Sequence, residues 1–206
     1  MTDIGHSEKV FVMKNILVIF LLTLVLQTWT KADDISDFEI EGISIGDSLL
    51  DHFSKERVDK KGKALYPNKE MLAGTFKDNS FEIFEEIQFH WLANDKEYII
   101  QSLSANIDFP NDITKCLEKR KNINEDIAEL FTNPKKDDWG KRALMNVDPS
   151  GQTYAYQNVY WLNNGNIIVS CRDFGINKEN EGHKDYLAIM IDSKIFDYWI
   201  NNKAWD

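Results

Sequence analysis

Residues 152–174 read QTYAYQNVYWLNNGNIIVSCRDF and predict a β-hairpin. Two runs rich in aromatic and β-branched residues flank the turn, and Asn164-Gly165 within it is among the strongest short hairpin signals. Side chains along a strand point alternately to its two faces. The stretch therefore predicts two antiparallel strands that contribute an apolar face to a core.

The first of these strands carries a row of tyrosines that is a candidate binding surface. Tyr154, Tyr156 and Tyr160 share one face, and Val159 and Trp161 share the other. If the apolar face is core, the tyrosines look outward, where their area and hydroxyl groups suit contact with a sugar or a protein. Cross-strand packing alone also favours tyrosine in sheets, so sheet stability is the alternative interpretation.

The other segments predict an α+β fold with the order α-β-β-β-α followed by β-β-β-β-α. A long middle helix is expected from a cap at Asn111 or Asp112 to about Phe131, and a C-terminal helix is expected after Ser193. Strands and helices segregated in this way are typical of an antiparallel sheet, built of hairpins or a meander, with helices packed against it. The predicted domain is residues 33–206.

Further element boundaries follow from composition and periodicity. A first helix is expected at about 47–54, with continuation to Val58 as the alternative, and a strand with one wet and one buried face is expected over 81–91. A polar loop is expected at 135–140 and a strand over 141–147.

Two of the predicted hairpins resemble each other. WLANDKEYIIQS at 91–102 and WLNNGNIIVS at 161–170 share WL, an asparagine-containing turn, and II followed by a serine. This pattern fits a duplication with halves at about 38–132 and 141–206. It equally fits two ordinary tight hairpins with β-branched flanks.

The sequence VMKNILVIFLLTLVLQTWTKADD at 12–34 is typical of a secretory signal peptide. One lysine precedes an apolar run of 11 residues at 16–26, and a small residue, Ala32, precedes two aspartates. A membrane-spanning helix needs about 20 apolar residues, so an anchor is disfavoured. We expect translation from Met13, a signal peptide within residues 1–32, and a mature bacterial protein that is periplasmic or secreted, with no integral membrane span.

Charge argues against one class of partner, and the cysteine content predicts a disulfide. The chain has 24 basic and 34 acidic residues and a net charge of −10, which argues against a nucleic-acid partner because binding requires neutralisation of phosphates. In an oxidising compartment Cys116 and Cys171 favour one disulfide. Two separate buried thiols are the alternative.

The stretch FEIEGISIGDSLLDHF, residues 38–53, carries two resemblances. It looks like the opening of small exported proteins of marine alphaproteobacteria whose activity is not established. Gly42, Ser44 and the apolar face formed by Leu49, Leu50 and Phe53 also resemble the start of SmpA/OmlA-type outer-membrane assembly lipoproteins. That family's Gly-Pro after the helix and its lipid-bearing cysteine are missing here. The second resemblance implies an adaptor of the cell envelope.

Few residues indicate chemistry. Glu86 and His90 share a strand face and are weak candidates for a metal site, which needs three or four converging ligands. Nucleophile, phosphate-binding and dinucleotide motifs are missing from the sequence, and no cofactor is expected. The leading hypothesis is a non-catalytic binding or protein-interaction module whose partner is an envelope protein or a small ligand. The alternative is a periplasmic hydrolase with a dispersed Glu/His site.

Overall fold

The computed structural model describes residues 34–132 and 134–206, all of which fall within one compact unit. The predicted signal peptide at residues 1–32 and the predicted start at Met13 lie outside the described residues.

A seven-stranded antiparallel sheet forms the centre of the described fold. Its strands are β1 (Met71–Phe76), β2 (Ile87–Leu92), β3 (Ile100–Asp108), β4 (Lys135–Ala143), β5 (Tyr154–Leu162), β6 (Gly165–Asp173) and β7 (Tyr186–Ser193). Their order across the sheet is β1-β2-β3-β7-β6-β5-β4. The predicted α+β class with an antiparallel sheet is confirmed.

Five helices and one 3-10 turn accompany the sheet in the described residues. They are α1 (Leu49–His52), α2 (Lys55–Lys61), α3 (Ile113–Leu130), α4 (Ile176–Asn180), α5 (Lys194–Asn202) and the turn Ile35–Asp37. Side-chain caps define where α3 and α5 begin: Asp112 accepts from the backbone of Lys115, and Ser193 accepts from that of Phe196. The first predicted helix is divided, because Phe53 is extended and Ser54 caps a new helix.

Both faces of the sheet are covered in its middle. On one face α3 contacts β6 and β7, and on the other α5 contacts β3, β6 and β7. Strand β7 alternates accordingly: Leu187, Ile189 and Ile191 belong to the main hydrophobic core, whereas Met190 and Asp192 face the α5 side.

The Cys116–Cys171 disulfide joins α3 to β6. The two cysteines are fully buried, their Cα atoms are 6.0 Å apart, and they are separated by 55 positions in sequence. The predicted disulfide is confirmed, and the alternative of two separate thiols is wrong.

Strand β4 corrects the predicted loop at 135–140. It is an edge strand whose exposed lysines and aspartates gave the segment a loop-like composition, and charged residues are a common means of protecting a sheet edge. Its register shifts between Asp138 and Gly140, and Gly140 has a φ of 59°, a left-handed conformation that glycine adopts in one common type of bulge. The strand ends at Ala143, so the strand predicted over 141–147 is confirmed only for 141–143 and is wrong for 144–147.

Strand β2 is shorter than the predicted strand over 81–91. The Glu41 carboxylate accepts hydrogen bonds from the backbone N–H groups of Glu82, Ile83 and Phe84 at 2.8, 2.7 and 2.9 Å. These donors are therefore taken by a side chain from another part of the chain, and pairing with the neighbouring strands begins at Ile87. The duplication of two halves stays a prediction.

Candidate functional site

Five polar or aromatic residues form a row across the sheet. His90 on β2 is paired with Ser102 on β3, which is paired with Asp192 on β7. Asp192 is paired with Asn166 on β6, which is paired with Trp161 on β5. Directly paired residues project from the same face of an antiparallel sheet. The register therefore brings residues 102 positions apart in sequence into one line beneath α5.

A cavity of about 500 Å³ lies between this row and α5. A second row, two residues further along each strand, forms its more apolar part through Ser104, Met190, Ile168 and Val159. Other lining residues are contributed by α5, by the segment before β1 and by strands β2, β4 and β5: Phe196, Asp197, Ile200, Asn201, Tyr66, Gln88, Trp139 and Gln157.

Three side chains in the row carry polar atoms that have no hydrogen-bond partner among the described residues. They are both ring nitrogens of His90, Oδ1 of Asn166 and Oδ1 of Asp192. These residues are 5%, 1% and 7% exposed. Buried polar atoms are normally paired, and an unpaired one costs about 1–3 kcal/mol. Four of the eight buried side-chain atoms without a hydrogen-bond partner in the described residues lie in this row, and the others belong to Arg120, Asn158 and Arg172.

Burial shifts the titration of the two ionisable members of the row in opposite directions. It lowers the pKa of His90 to about 4, so the imidazole is neutral at pH 7. It raises the pKa of Asp192 to about 7, an effect opposed by a hydrogen bond from Ser102 and reinforced by the charge of Asp197. Burial and the charge of Asp192 raise the pKa of Tyr66, which stays a neutral phenol.

The aromatic residues of the cavity are held by defined contacts. Trp161 donates its indole N–H to Asp137 Oδ2 at 2.6 Å. The Phe196 ring centroid lies 4.7 Å from that of His90, and the Tyr66 centroid lies 6.4 Å from it. The Arg142 guanidinium lies 4.6 Å from the Trp139 ring centroid. These contacts preorganise the walls of the cavity.

The tyrosine row on β5 occupies the opposite face of the sheet. Tyr160 is fully buried, and its hydroxyl donates to the backbone oxygen and to Oδ1 of Asn124 on α3, at 3.1 and 2.8 Å. Tyr154 and Tyr156 are half-buried. The predicted outward face is therefore wrong for Tyr160. Helices cover both faces of this sheet, so alternation on β5 did not reveal which face carries a cavity.

We expect the variant Y160F to lose about 1–2 kcal/mol of unfolding free energy, because the buried Oδ1 of Asn124 loses its hydroxyl donor and the backbone oxygen loses a donor additional to that of the helix. Urea denaturation would measure the change. The matched control is Y154F, which keeps the ring that lies 3.8 Å from Lys141 Nζ and should be close to neutral. Equal losses in the two variants would contradict the assigned role of the Tyr160 hydroxyl.

The weak metal candidates do not converge. Glu86 is exposed before β2 and pairs with Lys77 at 3.4 Å, whereas His90 is buried in the cavity wall. Within residues 34–132 and 134–206, no group of three or more His, Cys, Asp or Glu side chains is placed to hold a metal ion. The proposed pairing of Glu86 with His90 as metal ligands is not supported.

Sequence reasoning missed Ser102, Asn166 and Asp192. The sequence offered a signal only for Asp192, which directly follows the apolar run LAIMI at 187–191; Ser102 and Asn166 lie in strands with several other polar residues. Their convergence depends on β7 pairing between β3 and β6, and a single strand carries no information on that order.

No family model, curated protein or solved structure matches this chain. The resemblances of residues 38–53 stay predictions. In the described part of the chain, no helix has the length and apolar character needed to cross a bilayer.

Proposed function

We propose that this chain is an exported, non-catalytic binding protein that holds a small ligand between the sheet and α5. The observation that carries the proposal is the set of unpaired polar atoms of His90, Asn166 and Asp192 at one cavity. Ligand sites are typically concave, about 300–1,000 Å³ in volume, and lined by apolar and aromatic side chains with a few convergent polar groups. The cavity, at about 500 Å³, has this size and composition.

Export is part of the proposal and has separate support. Disulfides such as Cys116–Cys171 persist mainly in oxidising compartments, which include the periplasm and the extracellular space. The leader-like pattern at 12–34 agrees with this location.

Binding fits the site better than the alternative hydrolase. In a catalytic triad the histidine lies between the nucleophile and the acid and is hydrogen-bonded to both. Here Ser102 lies between His90 and Asp192 in the register, and the ring nitrogens of His90 lack a partner among the described residues. His90 is at the end of the row. In this order Asp192 cannot hold the His90 ring in place while His90 removes the proton of Ser102.

The variant S104F tests the cavity directly. Ser104 is half-buried in the second row, so a phenyl group at this position would occupy ligand space. We expect native mass spectrometry of wild-type protein from the envelope fraction to detect a bound small molecule. S104F should lose it, with affinity reduced at least tenfold (about 1.4 kcal/mol).

The matched control is S80F, which adds the same bulk at an exposed position that does not line the cavity. S80F should retain the ligand. Equal retention by S104F and S80F would contradict the proposed site. A bound protein in place of a small molecule would favour the interaction-module interpretation instead.

A further inference from the structure

The cavity wall is acidic. Two carboxylates, Asp192 and Asp197, line it, and the described lining residues include neither lysine nor arginine. His90 adds no positive charge near pH 7, because burial keeps its pKa low. An anionic ligand next to Asp192 would therefore be buried beside a carboxylate with no cationic side chain among the described lining residues, which is unfavourable.

The unpaired atoms next to Asp192 are acceptors of hydrogen bonds. Oδ1 of Asp192 and Oδ1 of Asn166 belong to directly paired residues on β7 and β6, where neighbouring strands lie about 4.8 Å apart. Two strands away from Asp192, neutral His90 has one ring nitrogen that is a third acceptor and one that is an unpaired N–H donor. A molecule that complements this end of the cavity must supply N–H or O–H donors.

The rest of the wall is apolar and aromatic. Phe196 and Tyr66 lie near His90, and Ile168 and Met190 form the floor next to the acidic residues. Aromatic faces attract cations through their quadrupole, and the effect grows when the cation is desolvated. The protein already places its own cations against the outer aromatic residues, with Lys135 Nζ 6.0 Å from the Trp161 ring centroid and Arg142 against Trp139.

We propose that the ligand of this cavity is a small organic cation, a protonated amine with an apolar body. The inference rests on the proposed binding function. The ammonium group pairs with the Asp192 carboxylate and donates to Asn166 Oδ1, and the apolar body lies over Ile168 and Met190 toward Phe196.

The pH dependence of binding follows from the groups that face Asp192. These are Asp197 on α5, His90 on β2 and Tyr66 before β1, together with the neutral side chains of Ser102 and Asn166. With its pKa raised to about 7, Asp192 becomes ionised as the pH rises from about 6 to 8. His90 and Tyr66 stay neutral over this interval because of their lowered and raised pKa values. Amine affinity therefore increases with pH across it.

A charge-matched probe series tests the inference by calorimetric titration of the full-length protein. The probes are 2-phenylethylamine, 2-phenylethanol and phenylacetate, which share the phenyl body and differ in charge. At pH 8 we expect the amine to bind at least tenfold more tightly than either of the others, a difference of about 1.4 kcal/mol. The variant D192N should lose this preference and the pH dependence while remaining folded in urea denaturation.

Each other outcome overturns the cation assignment. Tighter binding of phenylethanol or phenylacetate, or equal affinity for all three probes, would leave the binding site intact and refute its preference for cations. An unchanged amine preference in D192N would refute the role of Asp192. No saturable binding of any probe at millimolar concentration refutes the assignment as well. If native mass spectrometry also finds no small molecule on the wild type, the proposed binding function fails with it.

Discussion

Reduction of the Cys116–Cys171 disulfide should lower the free energy of unfolding by about 4 kcal/mol, since the bond closes a loop of 55 residues in the unfolded chain. A domain of this size typically has about 5–15 kcal/mol of stability in total. Loss of the cross-link would therefore remove a large part of the total free energy of unfolding. Urea denaturation with and without a thiol reductant measures the difference.

The double variant C116A/C171A separates the cross-link from other effects of the reductant. It should unfold at the same urea concentration with and without reductant, whereas the wild-type midpoint should fall. Both cysteines are fully buried, so the variant also removes packing and should be somewhat less stable than the reduced wild type. If the urea midpoint of the wild type stayed the same after complete reduction, verified by mass, the bond would not stabilise the fold.

Local signals predicted most elements of this fold. The segment containing Asn164-Gly165 correctly places the β5–β6 hairpin, because a tight turn is specified by local residues. The two turn residues are Asn163 and Asn164, and Gly165 already pairs with Leu162. Asp112 and Ser193 correctly place the start of α3 and of α5, because a cap satisfies backbone groups within three positions. The failures at β2 and β4 involve distant partners: Glu41 binds the backbone of residues 82–84, and β5 converts a polar segment into an edge strand.

The candidate site was poorly predicted for the same reason. His90 lies in a strand whose alternation implied a wet face, yet it is 5% exposed because α5, more than a hundred positions later, covers that face. The importance of Asp192 depends on its pairing with Ser102 and Asn166, which belong to different hairpins. Non-local pairing defines the site, and composition or periodicity within one segment does not encode it.

The variant D192N should be more stable than the wild type above pH 7. The folded protein holds the pKa of Asp192 at about 7, against an ordinary value of 3.8, because burial disfavours the carboxylate. Between these values the unfolded chain releases its proton and the folded chain retains it, so the penalty on folding grows as pH rises from about 4 to 7 and is constant above. The difference between the two pKa values limits this penalty to about 4 kcal/mol. The asparagine amide of D192N is also buried and polar, so the variant recovers only part of it. We expect a gain of about 2 kcal/mol at pH 8.

The difference between D192N and wild type, measured by urea denaturation from pH 4 to pH 8, isolates this group. His90 contributes in the opposite direction, since its lowered pKa makes stability fall as pH decreases from about 6.5 to 4, but it does so in both proteins and cancels. D148N is the control of opposite sign. Hydrogen bonds from Ser150 and Thr153 lower the pKa of Asp148, so its replacement should destabilise the protein at pH 8.

A destabilised D192N at pH 8 would mean that the carboxylate stabilises the fold, and the ligand role of Asp192 would lose its main energetic support. A stabilised variant that has also lost amine binding would show that the protein retains a costly buried acid because its function requires one. Structural carboxylates in this chain, such as that of Asp185, which accepts the backbone N–H of Phe174 at 2.8 Å, have a local partner. Asp192 lines the cavity, and its Oδ1 has no such partner among the described residues, so we expect a ligand to engage this carboxylate.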